Sequence, residues 1–153
     1  LTLDIESFSQ THYRASIAAD ETLSPLWKDV FLFHWREESQ HAILDELEWR
    51  RIDASLTAEE RDRGVTELLE LVAGVDGLLQ AQAAADTEYF VAAAGPAFTP
   101  GQMAEIGATF LAAYRWQYIE SGVGDPRFQE ILAGMLTPAQ LARLVQNPAA
   151  AAA

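Results

Sequence analysis

Cysteine is absent from this 153-residue chain. Disulfides, thiolate metal sites and cysteine nucleophiles are therefore excluded, and any metal must be held by nitrogen and oxygen. Lysine occurs once, at Lys28. Ten Lys and Arg face 23 Asp and Glu, for a net charge of -13. Such a surface repels a phosphate backbone, which excludes nucleic acid as a partner. The same charge keeps the protein in solution. Proline (6) and glycine (9) are sparse and alanine is abundant, which favours helices over strands. No apolar run stands out as long enough to span a bilayer, and no signal peptide is evident. A cytoplasmic protein without a membrane partner is the expectation. Leu1 is not a start methionine, as in a sequence that begins inside a longer chain.

Half of the residues are hydrophobic, so the chain is long and apolar enough to bury a core. Residues 1–147 read as one domain, and 148–153, after Asn147, as a low-complexity tail. The punctuation is helical. Ser24-Pro25 is a cap followed by proline at the first helical position. Thr57 with Glu60, Thr99 with Gln102, and Thr137 with Gln140 have capping-box spacing. Gly95-Pro96 and the stretch from Gly122 to Pro126 read as stops. These signals predict helices near 2–19, 24–53, 58–94, 100–121, 126–135 and 138–146. No segment alternates with period two, and no repeat of solenoid length is present. Four long helices joined by short loops predict an all-α, antiparallel four-helix bundle. The two short C-terminal helices would pack across one end through Phe128, Ile131, Leu132, Met135, Leu141 and Leu144.

The polar residues inside the apolar stripes carry the chemistry. Residues three and four apart share a helix face. On the second helix one face reads Trp27, Val30, Phe31, His34, Glu38, His41, Asp45, Trp49, Ile52. Its ends are apolar and its middle is four ionisable groups. The first helix has the stripe Leu1, Ile5, Phe8, His12, Ala15, Ala19. The third places Asp76 mid-stripe, with Asp86 at the edge beside Gln82 and Tyr89. The fourth reads Met103, Ile106, Phe110, Tyr114, Gln117. All three histidines fall in this set. Buried unpaired, each group would cost several kcal/mol, so they pair with one another or bind a cation. A divalent metal offsets the carboxylate charge and takes neutral imidazoles as ligands. His34 and His41 lie seven residues, roughly 10 Å, apart along the axis. That spacing suits two ions at Glu38 better than one ion held by all three side chains.

The motif Glu38-Ser39-Gln40-His41 resembles the Glu-x-x-His ligand helix of the ferritin-like diiron carboxylate proteins. The wider His34-x-x-x-Glu38-x-x-His41 spacing is similar to a ligand helix of diiron N-oxygenases and of haem-oxygenase-like diiron oxidases. In order and length of helices the resemblance covers residues 1–121, whereas motif identity covers the second helix alone. It implies that Glu38 bridges or ligates metal, that His41 is a terminal ligand, and that Asp76 or Asp86 supplies the third-helix carboxylate. The chain departs from that pattern. The fourth helix offers Tyr114-Arg115-Trp116-Gln117 in place of a second Glu-x-x-His, no histidine follows His41, and the first helix offers His12 with Glu6 two turns earlier. A one-metal site, an asymmetric site and a site without its metal all stay open.

The leading expectation is a non-haem iron or manganese oxidoreductase or oxygenase with one or two ions. Its ligands are His12, His34, Glu38, His41 and Asp76, with Asp45, Asp86, Tyr114 and Gln117 around them. Dioxygen or peroxide and a small molecule would be its substrates. The alternative is a non-catalytic helical interaction module. Its polar ladder would fix helix register, and Trp35, Trp49 and Trp116 would lie at a homodimer or partner interface.

Overall fold

A computed structural model of the chain describes residues 2–95 and 97–146. Leu1 of the first stripe, Pro96 of the Gly-Pro stop and the tail from Asn147 onward lie outside the described residues. The described residues contain no strand. The order is α1 (Thr2–His12), a π-helical segment (Tyr13–Ile17), α2 (Pro25–Asp53), α3 (Ala58–Ala94) and α4 (Pro100–Arg115). A second π-helical segment (Trp116–Glu120), α5 (Ser121–Val123), α6 (Pro126–Met135) and α7 (Pro138–Val145) complete it.

The helix starts follow from their caps. Ser24 Oγ accepts from the Trp27 amide. Thr57, Thr99 and Thr137 each form the reciprocal capping box, satisfying two orphan amides at each start. Asp125 caps α6 by accepting from the amides of Arg127 and Phe128. Gly95 ends α3 with φ of 78°, a conformation that side chains with a Cβ resist.

The helices pack in two pairs, α1 with α2 and α3 with α4. The pairs meet where the continuation of α4, through its π segment and α5, runs along α1. The most deeply buried cluster lies at one end: Leu3 of α1 with Phe128, Ile131 and Leu132 of α6, flanked by Trp49, Met135, Leu141 and Leu144. The apolar residues of the C-terminal helices thus close that end, as expected. The π segments shift the expected stripes. Each inserts one residue into a turn, so the buried position after His12 is Ile17, with Ala15 and Ala19 exposed. After Tyr114 the buried position is Ile119.

The α3–α4 pair is held by charge as well as by apolar contact. Arg115 donates to both oxygens of Asp76 at 2.6 and 2.9 Å, and Gln80 adds a third hydrogen bond at 2.6 Å. The Arg115 guanidinium holds the Asp76 carboxyl below the usual range. Farther along, the Tyr114 hydroxyl donates to Asp86 at 2.5 Å, and Gln82 donates to the same oxygen at 2.9 Å. By length and composition α3 is long and apolar enough to cross a membrane, against the expectation that no such run is present. In this fold its two mid-helix aspartates are instead taken up by α4.

Close approach sets the seat of α1. A Cβ at Gly122 would overlap Asp4 Oδ1 and lie 2.7 Å from the Asp4 carbonyl oxygen, so only glycine admits α1 this near α5. In contrast, α2 has no fully buried residue. Leu26, Val30, Phe33, Leu44 and Leu47 of its outer side stand in solvent. Trp35 and Trp49 are half-buried instead: Trp35 stacks on Tyr13, and Trp49 packs on Phe128.

The Asp76–Arg115 pair makes a direct prediction. Arg115→Leu leaves a buried carboxylate without its cation and is expected to cost about 3 kcal/mol in urea unfolding. Asp76→Leu in the same chain should return most of that loss. Equal stability of the single and double variants would show that the pair does not clamp the two helices.

Candidate metal centre

Glu6 of α1 meets Glu38 and His41 of α2, with one donor atom from each within 4.8 Å of the others. The local sequence explains the meeting. Glu38 and His41 are three apart and share a face of α2. One turn beyond Glu6, Gln10 donates to the Trp35 carbonyl at 3.0 Å, while Ser39 donates to Gln10 Oε1 at 3.0 Å. These bonds set the register of α1 on α2 and bring Glu6 opposite Glu38.

His41 Nδ1 lies 2.8 Å from Glu38 Oε2 and 3.9 Å from Glu6 Oε1. His34 Nδ1 lies 3.2 Å from Glu38 Oε1, so the two histidines bracket this carboxylate. The carboxyl groups are sheltered and the rings are not. Side-chain exposure is 14% for Glu6 and 17% for Glu38, against 53% for His34 and 47% for His41. The ionisable row of α2 is therefore not a buried ladder. It is the rim of a site whose floor is the carboxyl pair.

Burial, then the hydrogen bond to Glu38 and its charge, push Glu6 up to about 7. Glu38 is held below its ordinary value by the Glu6 hydrogen bond, then by the hydrogen bond with His41 and the charge of the neighbouring imidazoles. Of the two, Glu6 is the one that holds a proton toward neutrality, and Glu38 is the one that ionises first. Contact with Glu38 raises His41. Glu6 Oε2 is buried and has no hydrogen-bond partner. A buried carboxyl oxygen without a donor, beside a second carboxylate and an imidazole, is a donor set suited to a divalent cation of the iron, manganese or zinc kind. On the far side of α1, Asp4 is pushed up to about 6 by burial, and its Oδ1 also lacks a partner.

The residues expected from the sequence are distributed as follows. Glu38 and His41 meet, and His34 touches Glu38 from the other side. Asp45 is near enough to add its charge to the raising of Glu6. His12 lies between the rings of Phe31 and Trp116, at centroid distances of 6.2 and 6.5 Å, and burial lowers its affinity for a proton. Asp76 is taken by Arg115, and Asp86 by Tyr114 and Gln82. Gln117 is half-buried in the second π segment and gives its carbonyl to Ser121. Of these, His12, Asp76 and Asp86 do not join the three-residue cluster. Glu6, which stands two turns before His12, was not among the ligands expected on the first helix, where His12 was. Its spacing of one turn from Gln10 was the available signal.

The raised acids make stability depend on pH. Asp4 and Glu6 have folded values above their unfolded ones, so the stability they contribute is full below about pH 4 and is lost as pH rises through 6 to 7. Glu6→Gln keeps a neutral side chain at every pH. It is expected to raise the metal-free melting temperature at pH 8 by roughly 4 °C, and to change it little at pH 4. Equal melting shifts at both pH values would show that Glu6 ionises normally.

No protein-family model, no curated protein and no solved structure matches this chain.

Proposed function

We propose that this chain is a ferritin-like, four-helix non-haem metal protein with oxidoreductase or oxygenase activity, in which Glu6, Glu38 and His41 hold iron or manganese. The observation that carries this reading is the orphaned, buried Oε2 of Glu6 beside the Glu38–His41 pair. A structural network would be expected to satisfy that oxygen. His34 and Asp45 stand next to the cluster as groups that turn ligand or orient one. When bound, such a metal supplies one-electron chemistry toward dioxygen or peroxide.

The chain's own residues set the terms of binding. Glu6 and Glu38 bring two carboxyls and one proton, and a cation must displace that proton from Glu6. Uptake therefore releases a proton, and affinity rises with pH up to about 7, where Glu6 ionises. His41 must also be neutral to ligate, which acts in the same direction. The half-exposed rings leave the outer side of the site open to a small molecule.

The second reading, a non-catalytic helical interaction module, is favoured by the exposed apolar side chains of α2. Metal content separates the two. After anaerobic loading with ferrous iron, elemental analysis of the intact protein is expected to find near-stoichiometric metal. Glu38→Ala and His41→Ala should each weaken uptake at least tenfold, or about 1.4 kcal/mol. Wild-type uptake should also be weaker at pH 6 than at pH 8. No metal in any preparation, with both variants markedly less stable than wild type, would leave the module.

A further inference from the structure

The outer side of α2 carries a pattern that neither the fold nor the metal centre uses. Leu26, Val30, Phe33, Glu37, Gln40, Leu44 and Leu47 follow one another at spacings of four and three residues. That is a heptad seam over three repeats, about 32 Å long. All seven residues are exposed, with Phe33 at 65% and Leu26 at 75%. Ala42 and Trp49, which pack on the cluster of Leu3 with α6, lie on the opposite side of the helix. A solvated helix does not keep five large apolar side chains in one seam without a partner.

We propose that a second copy of this chain covers the seam, with the two α2 helices antiparallel about a two-fold axis beside Glu37. The seam is symmetric about that point. Reversed on itself, it sets Leu26 against Leu47, Val30 against Leu44 and Phe33 against Gln40. Charge chooses the direction. Antiparallel pairing lays the positive amino end of one α2 beside the negative carboxyl end of the other, whereas parallel pairing sets like ends together; at the axis the two Glu37 side chains meet with Arg36 of each copy beside them. Arg36 is already held over the Phe33 ring at 5.7 Å, on the seam's border.

The area suffices. With 57–75% of their surface exposed, the five apolar residues offer on the order of 500 Å² per copy. With Glu37, Gln40 and the flanking Trp27, the pair reaches about 1,200 Å², where specific interfaces begin. On the flank of the seam His34 and His41 repeat at the same seven-residue spacing, so the paired helices border the candidate centre. The pairing itself does not depend on metal.

Because the chain has no cysteine, single-cysteine variants test the geometry without background. Sedimentation velocity of the intact protein should show a dimer. Val30→Glu and Leu44→Glu should each raise its dissociation constant at least about a hundredfold (about 2.7 kcal/mol) with an unchanged helical circular-dichroism spectrum. Leu78→Glu, on the exposed side of α3, should not. Under oxidation, Val30→Cys and Leu44→Cys should cross-link when mixed, and neither should cross-link alone. A wild-type monomer, a dimer indifferent to both seam charges, or Val30→Cys cross-linking to itself would each overturn the proposal. A dimer with the predicted cross-link that takes up no metal sustains it and counts against the metal reading alone.

Discussion

The seating of α1 is the constraint on which the rest depends. This eleven-residue helix touches α2, the continuation of α4, and α6. It turns acidic groups into both main contacts. Asp4 faces α5, where only a glycine at position 122 leaves room, and Glu6 faces α2. The apolar cluster of Leu3 with α6 holds the helix there against the electrostatic cost. Burial raises both acids, Asp4 to about 6 and Glu6 to about 7, so each takes up a proton more readily than an exposed carboxyl does.

The two helix pairs handle buried charge differently. In α3–α4 the carboxylates are satisfied: Asp76 has a bidentate arginine and a glutamine, and Asp86 has a tyrosine and a glutamine. That arrangement is stable without any further group. In α1–α2, among the described residues, no lysine or arginine pairs with Glu6 or Glu38, and one oxygen has no donor. A chain with ten basic residues places several of them at other acids, such as Arg115 at Asp76 and Arg127 at Glu46. The positive charge missing from α1–α2 is what a metal ion would provide.

The two helices nearest the candidate centre also differ in how they are covered. Helix α1 is gripped on several sides, while α2 is gripped on one. The centre lies at the boundary between the gripped face and the apolar seam, which is why the carboxyls are sheltered and the histidine rings are not. Chemistry at the rings and association at the seam are therefore neighbours on one helix.

Much of the fold was legible in the residues, because helix starts are local. A Thr three positions before Glu or Gln, or a Ser before Pro, bonds amides within one turn and needs no distant partner. The clustering of Glu38 with His41 was legible for the same reason. What lay beyond reach was phase and partnership. A π-helical turn adds one residue, so the stripe drawn through Ala15 and Ala19 passes in fact through Ile17. The same shift moves the fourth-helix stripe to Ile119. An aspartate in an apolar stripe has the same spacing whether it meets a metal or an arginine, and only packing brought Arg115 to Asp76 and left Glu6 without a cation. Sequence alone determined the helices and their caps, since those bonds close within four residues. Tertiary structure decided which acids are neutralised and which helix face stays bare, since both depend on side chains far apart in the chain.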